Sequence, residues 1–157
     1  MNAAINPIPD GFHTVTPFLT FQNSNRAIDF YKRALGAEEI YRIETKGKVA
    51  YAELQIGNSR IMLCDESREM KAWSPDHFGG SPISLILYVR DVDSFAKEAV
   101  KAGLKEKTPI EDQFFGDRLG TFEDPFGYTW SIASHIENVS PEELRRRMEK
   151  ADSREAS

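Results

Sequence analysis

The sequence predicts an α+β fold made of two βαβββ modules. Two observations carry this: a strand–helix unit that recurs in each half of the chain, and three strand-like runs after each helix. Leu19 to Gly36 and Leu87 to Gly103 share one design, in which alternation gives way to a polar cap, an amphipathic helix and a closing glycine.

In the first copy Ala27, Ile28, Tyr31, Ala34 and Leu35 form one helical stripe, with Asn23 or Ser24 as cap and Gly36 as stop. In the second, Val92, Phe95, Ala96, Ala99 and Val100 repeat the stripe between Asp91 and Gly103. Strands are expected at Glu39 to Glu44, Val49 to Ile56 and Arg60 to Asp65, the last two joined by the hairpin turn Gly57-Asn58-Ser59. Their counterparts are Lys105 to Pro109, Arg118 to Phe122 and Tyr128 to Ala133, with Asp124-Pro125-Phe126-Gly127 turning the last pair. Between the copies a polar stretch, Glu66 to Ser81, reads as a linker. Ser140-Pro141-Glu142-Glu143 is a capping box that opens a final helix anchored by Leu144 and Met148, with fraying expected over Ala151 to Ser157. The expected divisions are 1–68, 69–82, 83–136 and 137–157.

Composition narrows the function. A chain of 157 residues is the size of one domain, or of two very small ones sharing a core. With 25 acidic against 20 basic residues it lacks the cationic surplus that phosphate contacts need, so no nucleic-acid partner is expected. No apolar run reaches bilayer length, and the N-terminus lacks the basic and apolar regions of a signal peptide; no membrane association is expected. A single cysteine excludes a disulfide framework and Cys-based zinc or iron–sulfur sites, and fits a cytoplasmic location.

Alternation assigns the faces. Val15, Pro17, Leu19 and Phe21 oppose Thr14, Thr16, Phe18 and Thr20; Ala50, Ala52, Leu54 and Ile56 oppose Val49, Tyr51, Glu53 and Gln55. Leu85, Leu87 and Val89 oppose Ser84, Ile86 and Tyr88, and Trp130 and Ile132 oppose Thr129, Ser131 and Ala133. The aliphatic face belongs against the helices. The mixed face, with hydroxyls, aromatics and Glu53, suits either a ligand cavity or an open sheet with its polar side in water.

Six motifs in order, Thr16-Pro17-Phe18-Leu19, Arg26 to Glu39, Ile56 to Ser59, Gly79 to Pro82, Asp112 to Arg118 and Asp124 to Ala133, resemble the vicinal oxygen chelate (VOC) superfamily. That superfamily holds glyoxalase I, fosfomycin and bleomycin resistance proteins and extradiol dioxygenases. The chain is most similar to its PhnB-like branch, from about Ile8 to Arg146. The resemblance implies modules that cup a mixed sheet around a cavity, a homodimer, and a divalent metal held by one residue from each of four strands. Those positions correspond to Thr16, Met62 (or Cys64 in the neighbouring register), Ser84 and Ser131, which offer neither imidazole nor carboxylate. Where this chain has Tyr51 and Tyr128, PhnB-like relatives often carry histidine.

The resulting expectation is a metal-free protein with no cofactor, binding a small organic molecule at Thr16, Phe18, Tyr51, Glu53, Met62, Tyr88, Phe115, Arg118 and Ser131. Phe115 and Arg118 enter because an aromatic–Gly–x–Arg loop borders the ligand site in resistance-type relatives. Arg118 would pair with a ligand anion, or else structurally with Glu123, Asp124 or another carboxylate. Two alternatives stand beside this. One is a metal-dependent lyase, isomerase or dioxygenase with unconventional ligands such as His13 and Glu53; the other is a non-catalytic structural or interaction dimer. His13, His77 and His135 fall at strand ends or loops and fit no ligand spacing. Cys64, beside Asp65 and without a neighbouring base, reads as a core residue rather than a nucleophile. A methyltransferase of the ubiquinone pathway, a label given to some PhnB-like proteins, would need a nucleotide-binding glycine turn, and Gly36 and Gly103 are helix stops.

Overall fold

The computed structural model describes residues 4–155. The first module runs β1 (Phe18–Phe21), α1 (Ser24–Leu35), β2 (Glu38–Thr45), β3 (Lys48–Ile56) and β4 (Ser59–Asp65). A short helix α2 (Pro75–Phe78) follows, then β5 (Ser84–Tyr88), α3 (Val92–Lys101), β6 (Lys105–Asp112), β7 (Asp117–Glu123), β8 (Thr129–His135) and α4 (Pro141–Glu155). The α+β fold is realised as two four-stranded mixed sheets of the same topology, ordered β1-β4-β3-β2 and β5-β8-β7-β6. In each, the first strand of the module runs parallel to the last, and the remaining pairs are antiparallel. Among the described residues no helix is long and apolar enough to cross a membrane.

Local chemistry sets the helix ends. Asn23 resolves the first cap: its side chain accepts from the Arg26 N–H, and Gly36 closes α1 in the left-handed region at φ 67°. Asp91 caps α3 by accepting from the N–H and hydroxyl of Ser94. The stripe on α3 buries Val92, Ala96 and Ala99, whereas Val100 turns to solvent. Phe30, outside the expected stripe of α1, is buried beside it.

Four local expectations change. The first strand starts at Phe18 rather than Thr14, since Thr14 and Val15 form a bend and Pro17 has no N–H to donate. The linker contains α2, started by Pro75 and stopped by Gly79 at φ 75°. β6 continues past Pro109 to Asp112, and its pairing with β7 shifts register between Thr108 and Glu111, where proline's missing N–H is tolerated on an edge strand. α4 continues to Glu155; Ala156 and Ser157 lie outside the described residues.

A bulge also reverses part of the alternation in β3. Ile43 opposes Tyr51 and Glu44 opposes Val49, so Ala50 has no partner across the ladder. Val49 therefore turns inward, 1% exposed, and Ala50 outward, the reverse of the expected pair. Asp65 holds the distortion: one carboxylate oxygen accepts the Val49 N–H at 3.0 Å, the other the Ser24 N–H at 2.6 Å.

One core joins the modules. Phe21, Phe30 and Tyr31 from the first meet Phe126, Tyr128 and Trp130 from the second, edge to face, with centroids 5.3 to 6.1 Å apart. Such pairs add about 0.5–1.5 kcal/mol each to the gain from burial. At its centre Asp124, 4% exposed, accepts from the Tyr31 hydroxyl at 2.5 Å, the Trp130 indole at 3.0 Å and the N–H groups of Phe126 and Tyr128. The Tyr128 hydroxyl in turn accepts from the Thr20 N–H and donates to the Thr20 carbonyl, closing part of the free edge of β1.

Candidate functional site

With the aliphatic side of each sheet packed inward, the opposite faces are open. On the first sheet, Phe18, Tyr41 and Tyr51 stand together, the Tyr51 ring edge-on to Phe18 at 6.2 Å and to Tyr41 at 6.4 Å. The Tyr51 hydroxyl donates to Glu53 Oε1 at 2.8 Å, and Arg60 Nη1 donates to Glu53 Oε2 at 2.8 Å. Arg60 Nε donates to Gln55 Oε1 at 2.9 Å, and the guanidinium lies over the Phe12 ring, 4.9 Å from its centroid. The ion pair is well shielded, with the Arg60 and Glu53 side chains 13% and 16% exposed. Burial, reinforced by the hydrogen bond and charge of Glu53, pushes Tyr51 up to about 12. Met62 lies across from Glu53 on β4, and Thr16 sits just before Pro17, whose carbonyl accepts the Met62 N–H.

Cys64 is buried beside Thr20, with Sγ 3.7 Å from Oγ1. Burial and the Asp65 charge push its thiol up against the weaker pull of Thr20, which leaves it a poor nucleophile. A groove of about 710 Å³ runs over Phe18, Thr20, Ala50 and Cys64 to the loop around Met70. A second cavity, of about 410 Å³, opens between the modules. Its walls are mostly apolar, including Pro17, Leu85, Leu87 and Trp130, and His13, Arg60 and Tyr88 also line it.

The open face of the second sheet carries Ser84, Ile86, Tyr88, Thr129 and Ser131, with Ser84 opposite Thr129 and Ile86 opposite Ser131. At its far end the Tyr88 hydroxyl donates to Asp117 Oδ2 at 2.7 Å, and His135 Nδ1 meets Asp117 Oδ1 at 2.7 Å. His135 Nε2 lies 2.9 Å from Asn138 Oδ1. Burial raises the Asp117 carboxyl, but the hydrogen bonds from His135 and Tyr88 outweigh it and hold the group below its ordinary value. Asn138 and then Asp117 push His135 up.

The structure thus brings Phe18, Tyr51, Glu53 and Met62 onto one face with Thr16 at its margin, and Tyr88 and Ser131 onto the other. Two expected residues stand apart. Arg118 projects to the helix side, where Nε and Nη2 bind both oxygens of Asp93 on α3 at 2.8 and 2.9 Å and Nη1 binds Asp112 at 2.9 Å. Its fork is filled by carboxylates of the chain itself, the structural pairing with another carboxylate that stood beside the ligand role. Phe115 is half-exposed in the β6–β7 turn against Phe114, whose carbonyl accepts from Arg147 of α4, and it lines neither cavity. His13 and His77 are exposed, His77 stacked on Trp73 at 4.5 Å.

Arg60, Asp117 and His135 were not expected. Hairpin arithmetic reaches Arg60, because the turn Gly57-Asn58-Ser59 sets it opposite Gln55 and diagonal to Glu53. Asp117 differs from Arg118 only in strand parity, which local sequence leaves open.

Residues 12–132 match the model of the Glyoxalase/Bleomycin resistance protein/Dioxygenase superfamily, and the chain belongs to that superfamily. An uncharacterized protein of Mycobacterium tuberculosis is 36% identical over 149 residues, spanning 92% of this chain and 85% of the relative. TioX from Micromonospora superposes with a TM-score of 0.64 at 22% identity, covering 79% of this chain and 99% of TioX. An Arabidopsis thaliana gene product gives 0.63 at 28% identity, covering 78% of this chain and 98% of its own.

The divalent metal of the superfamily's catalytic members does not fit this donor set. Thr16, Met62, Ser84 and Ser131 supply hydroxyls and a thioether, and Thr16 already faces the His13 carbonyl at 3.4 Å. Both oxygens of Glu53 are engaged by Tyr51 and Arg60, which removes it as a ready partner for His13. Among the described residues no three His, Cys, Asp or Glu side chains converge on a point.

Proposed function

We propose that this protein binds a small organic molecule without a metal, as a homodimer of the PhnB-like branch. The observation that carries the reading is the wall of Phe18, Tyr41 and Tyr51 beside the linked polar group Tyr51–Glu53–Arg60. Apolar walls with a few fixed polar groups are the composition of a ligand pocket. The homodimer reading is supported by Phe18, Tyr41, Ile43, Ile86 and Tyr88, all substantially exposed on the same open faces. The sequence motifs from Arg26 to Glu39 and Asp124 to Ala133 support the PhnB-like placement.

The test is elemental analysis of freshly purified protein, together with thermal melts with and without chelator and a thermal-shift ligand screen. The expected result is no stoichiometric first-row metal, a chelator-independent melt, and at least one stabilising organic ligand. One equivalent of metal with a chelator-sensitive melt would overturn the metal-free reading in favour of metal-dependent chemistry. A screen that returns nothing would favour a purely structural dimer.

A further inference from the structure

We propose that the cavity between the modules takes an apolar molecule bearing one carboxylate, with Arg60 as the carboxylate-binding group and residues 11–13 as the strap that holds Arg60 in place. The inference rests on the small-molecule reading above and names the ligand class.

The cavity is about 410 Å³, within the roughly 300–1,000 Å³ of ordinary ligand pockets. Val15, Pro17, Ile61, Leu85 and Leu87 give it an apolar body, and Arg60 is its fixed cation. An apolar cavity with one such group selects a molecule with an apolar body and one complementary head.

Arg60 is preorganised for that role. Gln55 holds Nε, Glu53 holds Nη1 and the Phe12 ring supports the guanidinium face, so a ligand has little rotamer freedom left to remove. Among the described residues the side-chain hydrogen bonds of Arg60 are those to Gln55 and Glu53, and they leave Nη2 for a ligand oxygen. The imidazole of His13 lines the same cavity. The Tyr51 hydroxyl donates to Glu53 and takes up part of that carboxylate's charge. Glu53 still lies 2.8 Å from Nη1, so a singly charged carboxylate is favoured over a doubly charged phosphate.

The strap depends on glycine. Gly11 has φ +84°, and a Cβ there would collide with Arg60 Nη2. Only a residue without a side chain lets the backbone lie against the guanidinium, and the next residue, Phe12, supplies the ring beneath it.

Calorimetric titration of the full chain with octanoate and phenylacetate, against octanamide and phenylacetamide, tests this. The expected result is carboxylate binding roughly ten- to a hundredfold tighter than amide binding, the scale of a hydrogen bond to a charged group. Arg60→Gln should abolish the preference, and Leu87→Trp, which fills the cavity, should weaken both classes. Because Arg60→Gln leaves Glu53 unpaired, Gly11→Ala is the second variant; with a melt close to the parent's it should still lower carboxylate affinity. Equal binding of acids and amides, or an acid preference unchanged in both Arg60→Gln and Gly11→Ala, would overturn the proposal. A ligand found by the thermal-shift screen whose binding survives Arg60→Gln and Leu87→Trp would overturn it while leaving the small-molecule reading intact. No ligand in either assay would overturn both.

Discussion

Asp124 offers the sharpest test of how the two modules are joined. Its carboxyl accepts four hydrogen bonds, two from side chains in different modules and two from its own turn. Burial pushes this carboxyl up, while the donors from Tyr31, Trp130, Tyr128 and Phe126 pull the other way. Asp124→Asn preserves shape and leaves one oxygen for the two backbone N–H groups. Its amide then faces Tyr31 and Trp130. Tyr31 can rotate its hydroxyl to accept, but the Trp130 indole can only donate and loses its partner. One stranded buried donor costs about 1–3 kcal/mol, and the weaker remaining bonds bring the loss to about 2–3 kcal/mol. For a chain of this size that lowers the melting temperature by about 4–12 °C. Asp124→Ala strands all four donors and should cost about 4 kcal/mol or more. Urea unfolding followed by tryptophan fluorescence measures both. A loss under about 0.5 kcal/mol for Asp124→Asn would refute the view that this carboxyl ties the modules together.

Two further predictions concern the second module. Arg118→Ala should leave affinity for any small ligand unchanged and move the melt little, because its partners Asp93 and Asp112 are solvent-exposed; a tenfold loss of affinity in a titration would instead assign it the ligand role. His135 should titrate above the ordinary histidine value in an NMR pH series, and Asp117→Asn should bring it down. A histidine raised on folding adds stability below its unfolded value of about 6.5, and that contribution fades as pH climbs through the folded value. A midpoint at or below about 6.5 in the intact protein would contradict the Asp117 and Asn138 contacts.

The fold is largely legible in the sequence. Both helices follow from 3.6-residue stripes bounded by Asn23, Gly36 and Asp91, and the succession of strands along the chain from period-two runs and the turns at Gly57 and Asp124. The site was legible in part. Phe18, Tyr51 and Glu53 share a face, as alternation implies, because β3 keeps regular pairing with β4 from Ala52 onward. Val49 and Ala50 were reversed because a bulge is a property of two strands together, and neither strand's pattern contains it.

By itself the sequence determined the two-module α+β fold and the capped helices. These rest on local periodicity and on residue identity, which need no partner strand. Only the tertiary structure decided which of Asp117 and Arg118 faces the open sheet, that Asp124 joins the modules, and that Arg60 is fixed between Glu53, Gln55 and Phe12. Each of those depends on a register or a contact between residues separated along the chain. A shift of one residue in pairing turns every side chain to the other face, and that parity is settled only when the strands pack.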